Sequence, residues 1–296
     1  MAAFVVASLL VFWPAISALA LFSFQHEFSS HALLIPALSL YLLYIERRLV
    51  FRREQSAIAP GCILILAGAG LYWWVMAHEA AKGPAQFLPG ATLAIVVIWM
   101  GGFLACYGYR AWRAAAFPLL FLLLMIPLPE QMLARTIYFL QVGSTSLSFS
   151  LFKLVGVPVF RQGFLLSVPG QTIEVAKECS GIRSSIALLI TCLLAAHLFL
   201  RTPWKMLLFV LLVLPVSIVK NAIRIVTLTL LSVYVDPSFL RGSLHHDGGF
   251  VFFLLALAIL FPVLLLLQKS EGRPAPPASS IPPGPASGLA ASVTEN

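Results

Sequence analysis

Hydrophobic residues in this chain form a series of long runs that are separated by short polar segments. The runs lie near residues 3–23, 31–45, 60–77, 91–108, 114–128, 181–200, 206–233 and 250–268. Most of them approach twenty residues, the length that an α-helix needs to cross about 30 Å of hydrocarbon. The pattern therefore predicts an all-α polytopic membrane protein with about eight transmembrane helices.

Residues 129–178 depart from this pattern. In 133–156, LARTIYFLQVGSTSLSFSLFKLVG, an arginine, a glutamine and several serines interrupt the apolar residues. Such a composition predicts a helix that lies in the outer membrane interface. Turn signals at Gln162-Gly163 and Pro169-Gly170 then separate short apolar runs, which predicts a small extracytoplasmic β-hairpin.

The chain divides by composition into one membrane domain and a short tail. Residues 1–269 contain all the apolar runs, whereas 270–296 are rich in proline, serine and glycine. A segment of that composition has few apolar residues to bury. We therefore expect a single domain followed by a disordered tail.

The positive charges fall between the spans. Four short segments hold ten of the nineteen basic residues: Arg47, Arg48, Arg52 and Arg53; Arg110 and Arg113; Arg201 and Lys205; Lys269 and Arg273. Counting crossings puts all four on one side, which the positive-inside rule identifies as the cytoplasm. The chain is thus predicted to be a multi-pass protein of the cell inner (plasma) membrane, with both termini cytoplasmic. A net charge of +8 spread over such loops does not indicate a nucleic-acid groove.

The four cysteines form neither a disulfide framework nor a metal-binding spacing. Cys62, Cys106 and Cys192 lie inside apolar runs, where we expect them to be buried as small apolar residues. The histidines form no zinc motif. No metal ion and no cofactor is expected.

Scarce charges gather around the fourth cysteine, in EVAKECSGIRSS at 174–185. An apolar run follows at once, and Ser180 is predicted to cap its helix. The helix N-terminus, Lys177 and Arg183 all favour a thiolate at Cys179, whereas the neighbouring glutamates oppose it. Cys179 is a candidate nucleophile, and the alternative is an ordinary interfacial residue beside charges that anchor the helix end.

A second polar cluster, KNAIRI, interrupts the seventh apolar run. Lys220 and Asn221 are four and three residues before Arg224, so the three side chains share a helix face. Arg224 is about twenty residues after Trp204, which places it roughly 30 Å along the helix, at the outer edge of the hydrocarbon. The alternative is an arginine at a helix end whose head group reaches the interface.

A third cluster, LHHDGGF at 244–250, precedes the last span on the same outer side. His245 or His246 is a candidate proton carrier, unless the pair belongs to a plain loop. The predicted topology gathers the cysteine, the arginine and a histidine in one thin layer at the outer interface. A thiolate that attacks a carbonyl, a histidine that exchanges protons and a guanidinium that stabilises the oxyanion form a coherent catalytic set.

These motifs resemble those of the exosortase/archaeosortase family of membrane-embedded cysteine transpeptidases. The likeness is carried by ECSGIRSS, NAIRI and a histidine that three residues separate from a glycine (H-x-x-x-G), together with MIPLPEQM at 125–132 and the stretch 156–181. It covers roughly residues 115–253. The resemblance implies that Cys179 is the nucleophile that forms an acyl-thioester, Arg224 stabilises the transition state, and His245 is the general acid and base. His245 is preferred to His246 because Gly249 completes the family spacing.

The resemblance also implies the substrates and partners. Membrane-anchored proteins with a C-terminal sorting signal, often Pro-Glu-Pro followed by a transmembrane helix and a basic tail, would be cut near the motif. The new carboxyl end would pass to an unidentified surface acceptor, in a process linked to exopolysaccharide. Membrane lipids are expected partners and nucleic acid is not. An acyl-thioester needs protection from water, which residues 133–178 would supply.

Three alternatives remain at this point. The same residues would serve a protease of the membrane interface that releases its product to water. In a transporter, Lys220 and Arg224 would line an anionic path near the middle of the bilayer. In a non-catalytic partner for polysaccharide assembly, Cys179 would be dispensable.

Overall fold

The computed structural model describes residues 1–51, 56–176, 180–236 and 249–271. In these ranges the chain forms the helices α1 (Ala2–Val11), α2 (Trp13–Gln25), α3 (Ile35–Ile45), α4 (Arg47–Val50), α5 (Ile58–His78), α6 (Pro84–Ala114), α7 (Ala116–Phe121), α8 (Glu130–Leu154), α9 (Ile182–Phe199), α10 (Pro203–Leu211), α11 (Val213–Tyr234) and α12 (Gly249–Lys269). The strands are β1 (Phe160–Gln162), β2 (Leu165–Val168) and β3 (Gln171–Glu174). The predicted all-α polytopic fold is confirmed.

Helices that could cross a membrane account for most of the described chain. Six segments are long and apolar enough: Phe28–Ile45, Ile58–His78, Pro84–Ala114, Ile182–Phe199, Pro203–Tyr234 and Gly249–Lys269. Two further pairs of helices are long and apolar enough only when their members are combined, and each pair is sharply bent: α1 and α2 by 76°, and the 116–125 segment and α8 by 91°. Prolines near these breaks disfavour a continuous helix. The predicted eight crossings are reached if each bent pair is one span.

Small residues hold the N-terminal helices α5 and α6 together. A Cβ atom added at Gly61 would lie 2.5 Å from the Cβ of Ala105, and one at Gly68 would lie 2.6 Å from Ile98 Cγ1. Close approach of this kind is how helices associate where lipid removes the hydrophobic driving force. The two helices therefore form a tight antiparallel hairpin.

One end of the bundle gathers the segments that were predicted to be cytoplasmic. His197 Nε2 lies 2.6 Å from Glu46 Oε1, which joins the end of α9 to the residue that follows α3. Lys205 Nζ donates a hydrogen bond to Ser270 Oγ at 2.9 Å, which joins the start of α10 to the end of α12. The basic segments that flank these residues thus share one end of the molecule.

At this end of the bundle, the Glu271 carboxylate connects the end of α12 to the segment before α10. It accepts hydrogen bonds from the backbone N–H groups of Arg201 at 3.0 Å and Thr202 at 2.8 Å. Partial desolvation raises the pKa of the Glu271 carboxyl, but these bonds and the charge of Lys205 outweigh it and lower the pKa below its ordinary value. Glu271 therefore stays ionised at neutral pH and ties α12 to α10.

At the opposite end, a small sheet rests on α8 and α11. The strands form an antiparallel sheet in the order β1-β2-β3, with Arg161 opposite Leu166 and Leu166 opposite Ile173. The predicted hairpin is present, extended by a third strand, and both predicted turns contain a glycine with positive φ, Gly163 and Gly170. The buried face of the sheet packs in one cluster with Phe152, Val175, Ile225 and Val226.

The tail that was predicted to be disordered, 270–296, lies outside the described residues from 272 onward. Residues 270 and 271 follow directly after α12, and they make the contacts given above.

Candidate active site

Buried polar side chains meet between α8, α9 and α11, and we call this group the polar seam. Its members are at most 7% exposed, although the surrounding packing is apolar: Gln141, Ser144, Thr145, Ser148, Ser180, Ser217, Lys220 and Asn221. The α8 members are spaced by three and four residues, so they form one face of that helix. Polar groups are costly inside a membrane protein, so a seam of this size indicates function.

The seam brings two of the three sequence motifs into contact. Gly181, of the cysteine motif, has φ +73°, and a Cβ atom at this position would lie 2.8 Å from Asn221 Oδ1. Asn221 Nδ2 in turn donates a hydrogen bond to Ser144 Oγ at 3.0 Å. Gly181, two residues after Cys179, thus lies against the NAIRI motif on α11.

The predicted cap at Ser180 is wrong. Helix α9 begins at Ile182, its N-cap position is Gly181, and no side chain caps it. A serine cap must directly precede the helix, and the left-handed Gly181 separates Ser180 from it. The Ser180 hydroxyl is buried and has no hydrogen-bond partner among the described residues.

Lys220 lies deep in the seam. It is 1% exposed, and its Nζ atom donates a hydrogen bond to Ser184 Oγ at 2.5 Å, in the first turn of α9. Ser184 Oγ donates to the carbonyl oxygen of Gly181 at 3.0 Å. Lys220, through Ser184, and Asn221 therefore both interact with Gly181.

Arg224 lies on the same face of α11, one turn after Lys220, and is half-buried. The continuous span 203–234 contains 32 residues, about 48 Å of helix, and Arg224 is ten residues before its end. It is therefore not an arginine at a helix end, as one alternative proposed.

The chain is also fixed on the other side of the cysteine. Gln141 Nε2 donates to the carbonyl oxygen of Val175 at 2.8 Å, and the N–H of Val175 donates to Phe164 O at 3.0 Å. Val175 is 1% exposed. Val175 and Gly181, on either side of the segment 177–179, are thus held by contacts with the sheet or the seam.

Several predicted site residues fall outside the part of the chain that the structure describes. These are Lys177, Glu178 and Cys179 of the cysteine motif, and His245 and His246 of the third cluster. The structure therefore gives the surroundings of the cysteine motif and the position of Arg224, and Gly181 of that motif lies against Asn221, three residues before Arg224. Arg183, expected to favour a thiolate, has an exposed side chain in the first turn of α9.

The other three cysteines do not all lie in the interior. Cys192 is buried as expected, but Cys62 and Cys106 are exposed on the surface of the bundle. The expectation was wrong for these two because a helix in a bilayer can turn apolar residues to lipid as readily as to protein. Within the described ranges, no three His, Cys, Asp or Glu side chains are grouped as a metal site requires.

Comparison with known proteins decides the family. The model of the family described as transmembrane exosortase (Exosortase_EpsH) matches residues 4–262. The chain belongs to this family. The match includes the N-terminal helices of this exosortase, and so extends well beyond the motif-bearing region 115–253. No curated protein and no solved structure matches the chain significantly.

Membership in this family supports a general role in protein sorting by a membrane transpeptidase. The exosortase chain is a multi-pass membrane protein, as its apolar helices also require.

Sequence reasoning missed two features of the exosortase site. The composition of α8 predicts an interfacial helix but does not reveal that its serines form a face that packs on α11. Sequence reasoning also did not connect Lys220 with Ser184, which are 36 residues apart. The three- and four-residue spacing from Gln141 to Ser148 was the signal available for the first, and no local pattern indicated the second.

Proposed function

We propose that this exosortase is a cysteine transpeptidase of the plasma membrane. Cys179 is the nucleophile, Arg224 stabilises the oxyanion, and His245 is the general acid and base, with His246 as the less favoured alternative. One observation carries the proposal: Gly181, two residues after Cys179, lies against Asn221, three residues before Arg224. Two motifs that are 40 residues apart in sequence therefore meet in the same buried polar region.

Covalent geometry supports the pairing of cysteine and arginine. Consecutive Cα atoms are about 3.8 Å apart, so the Cα of Cys179 is within about 7.6 Å of that of Gly181. Asn221, which Gly181 contacts, is about 4.5 Å along the helix axis from Arg224. These separations support a site in which a substrate carbonyl between the two motifs is reached by both the thiolate and the guanidinium.

The chemistry follows in two balanced steps. The Cys179 thiolate adds to the scissile carbonyl, Arg224 stabilises the tetrahedral oxyanion, and histidine protonates the departing amine as the C–N bond breaks. This leaves an acyl-thioester on the enzyme. The acceptor nucleophile then loses its proton to histidine and attacks the thioester, which forms the new bond and frees the thiolate.

The packing of α8 and the sheet favours transfer over hydrolysis. The sheet covers the outer part of α11 through Leu166 and Val168, and α8 buries its polar face against the same helix. A thioester beside this cover is shielded from bulk water and persists until an acceptor arrives. We therefore propose transfer to a surface acceptor, in connection with exopolysaccharide.

The distribution of charge supports the orientation and the substrate class. The basic segments share one end of the bundle, which the positive-inside rule assigns to the cytoplasm together with both termini. The polar seam lies toward the other end, on the extracytoplasmic side. This arrangement suits a membrane-anchored substrate with a Pro-Glu-Pro-like motif outside, a transmembrane helix, and a basic tail inside.

Co-expression with a protein that carries such a signal tests this function. We expect the intact mass of the recovered substrate to lack the helix and tail and to carry additional mass on the new carboxyl end. His245→Ala should abolish this change, and His246→Ala serves as its matched control. A substrate that keeps its full mass beside the wild-type enzyme would contradict the proposal, and equal losses in both histidine variants would contradict the assignment of His245.

Replacing Gly181 with alanine tests whether the contact with Asn221 matters. The new Cβ atom would meet Asn221 Oδ1 at 2.8 Å, and the left-handed backbone would be strained by about 1–2 kcal/mol. We expect cleavage to fall by about tenfold to a hundredfold, because small displacements of a nucleophile have effects of this size. Gly156→Ala is the control, since Gly156 has φ +76° and nothing within 4 Å of the added atom. Similar cleavage rates in the two variants, at similar melting temperatures, would exclude a role for the contact.

A further inference from the structure

Lys220 is a buried cation without a carboxylate partner in the described part of the chain. Its side chain is 1% exposed, and its hydrogen bond is to the neutral hydroxyl of Ser184. Arg224, one turn further along α11, adds a second positive charge that disfavours the charged lysine. Burying a lysine in this way is unfavourable for the fold, so its presence calls for a role other than stability.

The contacts of Lys220 lead to one peptide group. Ser184 Oγ accepts from the lysine and donates to the carbonyl oxygen of Gly181 at 3.0 Å. The same carbonyl oxygen accepts from Ser185 Oγ at 2.8 Å and from Ser185 N–H at 2.9 Å. Three donors thus fix the carbonyl of a glycine held in the left-handed conformation.

The ammonium group strengthens this chain of hydrogen bonds. A hydroxyl that accepts from a cation becomes a better donor, because successive hydrogen bonds polarise one another in a region of low dielectric constant. Lys220 therefore holds Ser184 in a single rotamer and directs its proton to Gly181. This stabilisation acts on the Ser180–Gly181 turn, which connects Cys179 to α9.

We propose that Lys220 is a positioning residue for the transpeptidase reaction, which acts through Ser184 to fix the Ser180–Gly181 turn and thereby the nucleophile. The inference rests on the proposed function in one respect, that Cys179 is the nucleophile. Lys220 does not itself contact the substrate in this scheme.

The chain contains a matched control for this lysine. Lys205 is also buried, 7% exposed, and its Nζ atom also donates to a serine, Ser270, at 2.9 Å. It lies at the opposite end of the bundle, away from the seam. Lys205→Met and Lys220→Met therefore remove the same kind of contact, and only the second is expected to act on the nucleophile.

The experiment measures two quantities in full-length protein. The first is cleavage of the sorting-signal substrate, resolved into kcat and KM. The second is the rate of alkylation at Cys179 as a function of pH, read by peptide mapping because Cys62 and Cys106 are also exposed. For Lys220→Met we expect kcat and the alkylation rate to fall about tenfold or more, with KM changed less than about twofold. Lys205→Met should leave both quantities within about twofold of the wild type.

Ser184→Ala gives an independent variant if Lys220→Met does not fold. Because lysine and serine act in one chain, Ser184→Ala should reproduce the loss in kcat, and the double variant should lose little more than either single variant. Additive losses would overturn the proposed chain.

The two readouts separate this inference from the proposed function. If the wild type cleaves its substrate and Lys220→Met keeps the wild-type kcat and alkylation profile, the positioning role is wrong and the function stands. If the wild type cleaves nothing, the alkylation profile alone decides: a shift in Lys220→Met but not in Lys205→Met supports the positioning of Cys179. Equal shifts of the alkylation profile in both lysine variants would show that Lys220 has only a structural role.

Discussion

Cys179→Ala is expected to abolish processing of a sorting-signal substrate, with a loss of at least about 10⁴-fold in kcat. Without sulfur no acyl-thioester forms, and the remaining groups can only polarise the carbonyl. The variant should accumulate in the membrane to the wild-type level, since alanine removes one atom beside a turn that Gly181 and Asn221 hold. The measurement is the intact mass of the co-expressed substrate.

Cys192→Ala provides the matched control for this variant. Cys192 is 1% exposed in the apolar core between α9 and α12, so its replacement removes a sulfur without approaching the seam. Processing by Cys192→Ala should equal that of the wild type. Processing that survives in Cys179→Ala would exclude the nucleophile, whatever the control does.

Arg224→Lys is expected to lower kcat by about 10²–10³-fold, with little change in KM. Lysine keeps the positive charge, but a compact ammonium group replaces the planar guanidinium with its several N–H donors. Its shorter side chain also leaves the oxyanion without a pair of hydrogen bonds. Lys220, one turn away, is held by Ser184 and is not free to take over. Steady-state kinetics with a detergent-solubilised substrate would give both constants.

The control is an arginine on a neighbouring helix. Arg135 of α8 has an exposed side chain, so Arg135→Lys tests the same exchange outside the seam. We expect it to behave as the wild type. If Arg224→Lys retained more than about half of the wild-type kcat, oxyanion stabilisation by Arg224 would be ruled out.

The membrane fold was readable from the sequence because length and hydrophobicity dominate in a bilayer. The run at 60–77 became α5 and that at 250–268 became α12 with shifts of only a few residues at either end. The bends were less readable. The run at 3–23 is continuous in hydropathy, yet α1 and α2 differ in direction by 76°, since a proline in the first turn of α2 interrupts the hydrogen bonding without changing the apolar character.

The candidate site was readable in its parts but not in its contacts. The spacing of Lys220, Asn221 and Arg224 fixes a shared helix face whatever the fold, because it follows from 3.6 residues per turn. That Ser184 lies within hydrogen-bond distance of Lys220 depends on how α9 and α11 pack, which no local pattern encodes. The left-handed conformation of Gly181 was equally hidden, because a glycine beside a helix start is compatible with several backbone conformations.

The length of the span 203–234 has a consequence for which substrates fit. Lys205, at the basic end, and Arg224, in the seam, are 19 residues apart on this span, about 28 Å along the helix axis. A substrate helix whose basic tail lies at the depth of the first and whose cleavage motif lies at the depth of the second must have nearly the same apolar length. The enzyme's own helix would then act as a ruler, and anchors one or two turns too long or too short would present the wrong peptide bond.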